Sequence, residues 1–276
     1  RASISLFTQP RAMFDAARFF KLRNGGRTIN APPPRQAVAS TAALLVTCGI
    51  AACTGGLLGC SLPPTDLLLI RHGQTEMNAY FQQRLPSSVF GQQGFKDPGL
   101  WDTRLTAKGE AQAKGIKVPW EPELVVASPL RRALRTADLA FGRHLPRAVC
   151  ADVRERLYLS SDAGSSPSAL AAEFDLWDFS GLEEEWWYTD ASWREGEDPR
   201  PAGEYLTPCE PEVVFLSRLR RFKRWLGARE ERRIAVVCHA GVLLSLTGLQ
   251  FANCELRGAA LADLPAELTK QPEAWR

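Results

Sequence analysis

Three short apolar runs, each ending on a residue able to do chemistry and each followed by helix-forming sequence, limit what this chain can fold into. Leu67-Leu68-Leu69-Ile70 runs into Arg71-His72-Gly73, Leu124-Val125-Val126-Ala127 into Ser128-Pro129, and Ile234-Ala235-Val236-Val237-Cys238 into His239-Ala240-Gly241. Short apolar runs without alternation read as strands buried on both faces, the pattern of a parallel sheet covered by helices on either side. Thr106 is placed to cap a helix reaching Gly115, and Ser128 to cap the next, with Pro129 at its first position. Leu130, Leu134, Ala137 and Phe141 put an apolar stripe on that second helix. Val213, Leu216, Leu219, Phe222 and Leu226 do the same further on, among Arg218, Arg220, Arg221, Lys223 and Arg224, a charge run that reads as a solvated face. A last helix is expected from about Val242 to Gln250. The fold class expected is α/β: three layers, α/β/α, around a largely parallel central sheet.

The segment before these runs is different. Arg1, Arg11, Arg18, Lys21, Arg23, Arg27 and Arg35 face a single acid, Asp15, within the first 35 residues. Acid-poor, Arg-rich sequence of this kind resembles an organelle transit peptide, so a plastid or mitochondrial destination is favoured, with membrane-anchored and cytoplasmic alternatives. Residues 37–62 carry no charge and are long enough to cross a bilayer, but Gly49, Gly55, Gly56 and Gly59 interrupt them. Residues 1–64 are therefore read as a targeting or leader segment, cleaved, anchoring or disordered, closed by the stiff Pro63-Pro64 pair. The chain opens on Arg rather than Met, and the sequence is expected to be incomplete there. A catalytic domain is expected over 65–259, with 260–276 as a tail. Between Leu159 and Pro211 the strand–helix pattern gives way to sequence rich in Ser, Asp, Gly and Trp, read as an insertion that covers the crevice.

Charge and cysteine usage exclude several functions. A net charge of +3 over 276 residues gives no concentrated basic patch, so no nucleic-acid partner is expected, and membrane contact only through residues 37–62. Seven cysteines without a C-x-x-C pair argue against a disulfide scaffold and a cysteine zinc site. His72, His144 and His239 are the only histidines and no two share a helical metal spacing, so neither metal nor cofactor is expected.

In open parallel sheets ligands bind beyond the carboxyl ends of the strands, where His72, Ser128 leading to Arg132, and His239 would converge. Neutral imidazole is a competent nucleophile near neutral pH, and a covalent intermediate splits one hard displacement into two easier ones. Transfer of a phosphoryl group further needs donors around its three non-bridging oxygens, which Arg71 and Arg132 can supply, with His239 as a further donor if protonated. The leaving oxygen needs a proton, and Glu155 is the chosen acid, ahead of Glu76 and the Glu183-Glu184-Glu185 run. Arg131 and Arg135 are the alternatives to Arg132.

Arg71-His72-Gly73-Gln74-Thr75-Glu76-Met77-Asn78, Ser128-Pro129-Leu130-Arg131-Arg132-Ala133, Glu155-Arg156-Leu157-Tyr158 and Val237-Cys238-His239-Ala240-Gly241 occur in this order. Together they resemble the motifs of the histidine phosphatase superfamily, the phosphoglycerate mutase-like family. Leu157 stands where that family's segment has His, and Cys238 and Ala240 where it more often has Ser and Gly. The resemblance covers about Thr65 to Ala259. It implies a phosphatase in which His72 is phosphorylated, Arg71, Arg132 and His239 form the phosphate pocket with Asn78 assisting, and Glu155 protonates the leaving group and then activates water. The substrate would be a small phosphorylated metabolite or a phosphoprotein. A mutase sharing the phosphohistidine and a non-catalytic protein that binds a phosphorylated ligand are the alternatives.

Overall fold

The structure, a computed structural model, describes residues 65–83, 95–189, 200 and 204–271. The expected leader, residues 1–64 with the apolar stretch 37–62, lies outside the described residues. No helix among the described residues is long and apolar enough to cross a membrane.

Strands β1 (Asp66–Arg71), β2 (Leu124–Ala127), β3 (Arg147–Val149), β4 (Arg233–Cys238) and β5 (Leu256–Ala260) form one sheet in the order β3-β2-β4-β1-β5. Every neighbouring pair is parallel except β1 and β5, so an antiparallel strand closes one edge. The helices are α1 (Glu76–Gln83), α2 (Ala107–Lys114), α3 (Arg131–Ala140), α4 (Pro167–Glu173), α5 (Glu212–Gly227) and α6 (Ala240–Thr247).

The apolar runs are continuous because both faces of the sheet are covered. Leu67, Leu69, Leu124, Val126, Ile234 and Val236 turn to one side, against Phe215, Leu219 and Phe222 of α5 and Val242, Leu243 and Leu246 of α6. Leu68, Ile70, Val125, Ala127, Ala235 and Val237 turn to the other, against Ala133, Leu134 and Ala137 of α3 and Leu170 of α4. Each fully buried Leu, Val or Ile in such a layer stabilises the fold by ~1.5–3 kcal/mol, which makes this two-sided burial the main force holding the strand ends together.

Several local expectations change in three dimensions. Thr106 caps α2 by accepting from the Gly109 N–H, but Ser128 does not cap α3; the capping position is Leu130, without a side-chain bond. On α5 Leu216, Leu219, Phe222 and Leu226 turn inward as expected, joined by Phe215, whereas Val213 is left 68% exposed. Arg218 is not on a solvated face: it is 2% exposed and paired with Glu210, a residue outside the helix. Helix α6 stops at Thr247, because Gly248 adopts φ +74, a left-handed C-cap that glycine accepts without strain. Residues 260–271, expected as a tail, pack instead: Leu264 and Leu268 join the core, and the Thr269 N–H bonds the Ser245 carbonyl. The insertion is divided in role. Leu159, Ser161 and Asp162 line the crevice, whereas Leu170, Phe174, Trp177, Phe179 and Trp186 pack on the α3 side of the sheet.

Candidate active site

Strand register brings the three chemical segments together. Arg71 is paired with Cys238 across β1 and β4, the His72 N–H donates to the Cys238 carbonyl at 3.0 Å, and the Ser128 N–H donates to the Val237 carbonyl at 3.1 Å. The chain after His72 must then turn hard against α2. A Cβ at Gly73 would lie 2.6 Å from the Gly109 carbonyl oxygen, and one at Gly109 only 2.0 Å from the Gln74 oxygen, so both positions require glycine for close backbone approach.

A cavity of about 300 Å³ opens at these strand ends, and Arg71, His72, Asn78, Arg132 and Glu155 all line it. His72 is 5% exposed. Its Nδ1 lies 2.8 Å from the Gly73 carbonyl, which can only accept, so Nδ1 carries the proton and Nε2 keeps its lone pair. Burial, then the positive charges of Arg132 and Arg71, hold the imidazole pKa well below its usual value, so the ring is neutral at neutral pH.

Arg71 donates to the Phe251 carbonyl at 2.7 Å through Nη1, while its Nε is buried without a hydrogen-bond partner. Thr103 Oγ1, also on the cavity wall, is likewise buried and unpartnered. Unpartnered polar atoms of this kind are uncommon in a folded protein. Arg132 donates through Nη1 to the Ser161 carbonyl at 2.5 Å and through Nη2 to Asp162 at 2.8 Å. Arg131 is spent on Asp102 and Glu173, and Arg135 on Glu110, so Arg132 alone of the three faces the cavity. Asn78 accepts from the Thr75 N–H and from Asn253 Nδ2.

His239 departs from expectation. It is absent from the cavity wall and fully buried, its ring 5.2 Å from that of His72. Arg132 Nε can only donate, so His239 Nδ1 accepts at 3.3 Å, and Nε2–H donates to Ser128 Oγ at 2.8 Å. Burial and the charge of Arg132 keep this ring neutral too. His239 therefore aims Arg132, and Ser128 serves as its acceptor.

Glu155 is held by two backbone donors: Oε1 accepts from the Arg156 N–H and Oε2 from the Gly241 N–H, both at 3.0 Å. Gly241 lies in the first turn of α6, and a Cβ there would come within 2.5 Å of Glu155 Oε1. Glu76 and Glu183, Glu184 and Glu185 are exposed and do not line the cavity. His144 pairs with Glu121 at the surface, away from the cavity, and burial pushes the Cys238 thiol far up, which leaves it inert. Among the described residues no group of His, Cys, Asp and Glu is arranged to hold a metal ion.

The profile of the histidine phosphatase superfamily, branch 1, matches residues 67–260. The chain belongs to the histidine phosphatase superfamily. Glucosyl-3-phosphoglycerate phosphatase of Mycolicibacterium vanbaalenii is 28% identical over 216 residues, 73% of this chain and 76% of that protein. Phosphoglycerate mutase-like protein 1 of Arabidopsis thaliana is 28% identical over 252 residues, 71% of this chain and 81% of that protein. The crystal structure of the alpha-ribazole phosphatase from Shigella flexneri is 26% identical, with a TM-score of 0.38 over 64% of this chain and 75% of that chain. At family level the chain is a phosphatase- or mutase-like enzyme.

Two cavity residues of this superfamily member carry no sequence signal. Asp162 joins the wall from the insertion; burial raises its carboxyl to about 6, although Arg132 pulls it down. Gln271 comes from the carboxyl-terminal segment, where its Oε1 accepts from Arg156 Nη1 at 3.2 Å and from the Tyr158 hydroxyl at 3.1 Å. Both depend on long-range packing that no local motif records.

Proposed function

We propose that this chain hydrolyses a phosphomonoester of a small metabolite through a phosphohistidine on His72. The observation that carries the reading is the tautomer of His72: Nδ1–H is committed to the Gly73 carbonyl, leaving Nε2 as a neutral nucleophile on the wall of a cavity that also carries two guanidiniums. Nε2 attacks phosphorus, the ester P–O bond breaks, and Glu155 hands its proton to the leaving oxygen. Water then attacks the phosphohistidine, Glu155 takes the water's proton, and the P–N bond breaks to release phosphate and free His72. Arg71 and Arg132 stabilise the charge on the three equatorial oxygens, with Asn78 bordering the same space.

The phosphatase name of the Mycolicibacterium relative supports hydrolysis of a small phosphorylated substrate. A mutase shares every step up to the phosphohistidine and differs in returning the phosphoryl group to the retained product. Phosphate release from a panel of phosphorylated metabolites, measured for the chain and for His72→Ala, tests the proposal. Release that disappears in the variant is expected; release that persists at a comparable rate refutes the covalent role.

A further inference from the structure

The cavity has a charge account that limits what the phosphoryl group can be attached to. Among the described residues four charged side chains line it: Arg71 and Arg132 against Glu155 and Asp162. The surrounding arginines are turned elsewhere. Arg154 and Arg218 are bound to Glu210, and Arg156 donates to the Glu210 carbonyl and Gln271 while lying over the Tyr158 ring at 4.7 Å. With Glu155 carrying the proton that it hands to the leaving oxygen, two cations face one carboxylate and an incoming phosphate dianion, which still leaves an excess of negative charge in a partly enclosed space. A second anionic group on the substrate would find no described cation to pair with, and such charge is strongly disfavoured where water is scarce.

One side of the wall is apolar. Met77, Phe81, Tyr158 and Leu159 line the cavity and belong to a small cluster separate from the two sheet-facing cores. Met77, Tyr158 and Leu159 are buried in that cluster rather than displayed on open surface, so they form a shaped wall beside the phosphate-binding end. Sites for small molecules combine such a wall with a few convergent polar groups.

We infer that the alcohol released by this enzyme is uncharged and presents an apolar face of about ring size to Met77, Phe81, Tyr158 and Leu159, so that carboxylated phosphoesters are poor substrates. This inference rests on the phosphatase reading of the cavity, and its test separates the two. Binding of (2-phenylethyl)phosphonate and its para-carboxylate to the chain, measured by calorimetry, reads ligand class without turnover. Hydrolysis of benzyl phosphate and 4-carboxybenzyl phosphate, measured alongside, reads the reaction. The uncharged member of each pair is expected to be favoured by about tenfold or more, and Phe81→Arg, which adds a cation to the apolar wall, is expected to reverse that preference. Equal or better binding of the carboxylated phosphonate overturns the inference whatever the turnover. Preferential binding of the uncharged phosphonate without hydrolysis of either ester supports the ligand class and removes the phosphatase reading. Failure of both phosphonates to bind overturns both.

Discussion

Replacing Glu210 by alanine should unfold this protein far more readily than its distance from the chemistry suggests. Glu210 is fully buried and accepts from Arg154 Nη2 at 2.8 Å, from Arg218 Nε and Nη2 at 2.9 Å each, and from the Leu157 N–H at 3.3 Å. Glu210→Ala leaves two buried guanidiniums without a counter-charge, and breaking a buried pair this way costs ~3–5 kcal/mol. Arg218 keeps the carbonyls of Asp152, Arg154 and Glu155 as acceptors, and Arg154 keeps that of Ala151, so the lower end applies. At ~2–4 °C per kcal/mol for a domain of this size, a loss of ~3 kcal/mol lowers Tm by ~6–12 °C.

The pH dependence has a definite sign. Burial alone would raise the Glu210 carboxyl, but the charges of Arg218 and Arg154 and their hydrogen bonds outweigh it, and the folded-state pKa lies below the usual 4.5. A carboxyl lowered on folding stabilises fully above its unfolded pKa, and that stabilisation disappears as pH falls through the folded pKa. Urea unfolding of both proteins, followed from neutral pH into acid, should show a gap that is full at neutral pH and narrows below about pH 4.5. A neutral-pH difference under ~1 kcal/mol, the range of exposed ion pairs, would refute the reasoning. Because Arg218 also holds the Glu155 carbonyl, kcat should fall in any Glu210→Ala protein that remains folded.

Three further outcomes are expected. Glu155→Gln should lower kcat/KM by ~10²–10⁴-fold for alkyl phosphates, whose leaving oxygen needs a proton, and by much less for p-nitrophenyl phosphate; an equal loss on both would remove Glu155 from the acid role. Ser128→Ala takes away the acceptor of His239 Nε2–H and should cost ~1–3 kcal/mol in urea unfolding, with a raised KM as Arg132 loses its aim; unchanged stability and KM would contradict the His239 assignment. Asp162, raised to about 6, competes for Arg132 once it ionises, so Asp162→Asn should tighten inorganic phosphate binding more above pH 6 than below it; a pH-independent effect would argue against that competition.

What the sequence revealed follows from where the information sits. Strands β1, β2 and β4 were legible because two-sided burial writes an unbroken apolar run, and His72, Arg132 and Glu155 because each lies in a local motif. Leu256-Arg257-Gly258-Ala259-Ala260 was not legible as β5: an edge strand needs only one neighbour and shows no apolar run. Ser128 carried a convincing local signal for a helix cap, yet His239, 111 residues away in sequence, captures its hydroxyl. Arg218 looked solvated because its partner Glu210 precedes the helix, and a charged residue on a helix gives no sign of a buried counter-ion elsewhere. Asp162 and Gln271 reach the cavity only through tertiary packing.

The central claim is that the phosphoryl group passes through His72 Nε2. Rapid mixing of the chain with substrate, quenching in alkali where phosphohistidine survives, and mass spectrometry of the digest would test it directly. The account predicts one phosphoryl group on the peptide bearing His72, more abundant in Glu155→Gln and absent from His72→Ala. Full turnover with no phosphorylated peptide in either protein, or a phosphoryl group mapped to another residue, would contradict it.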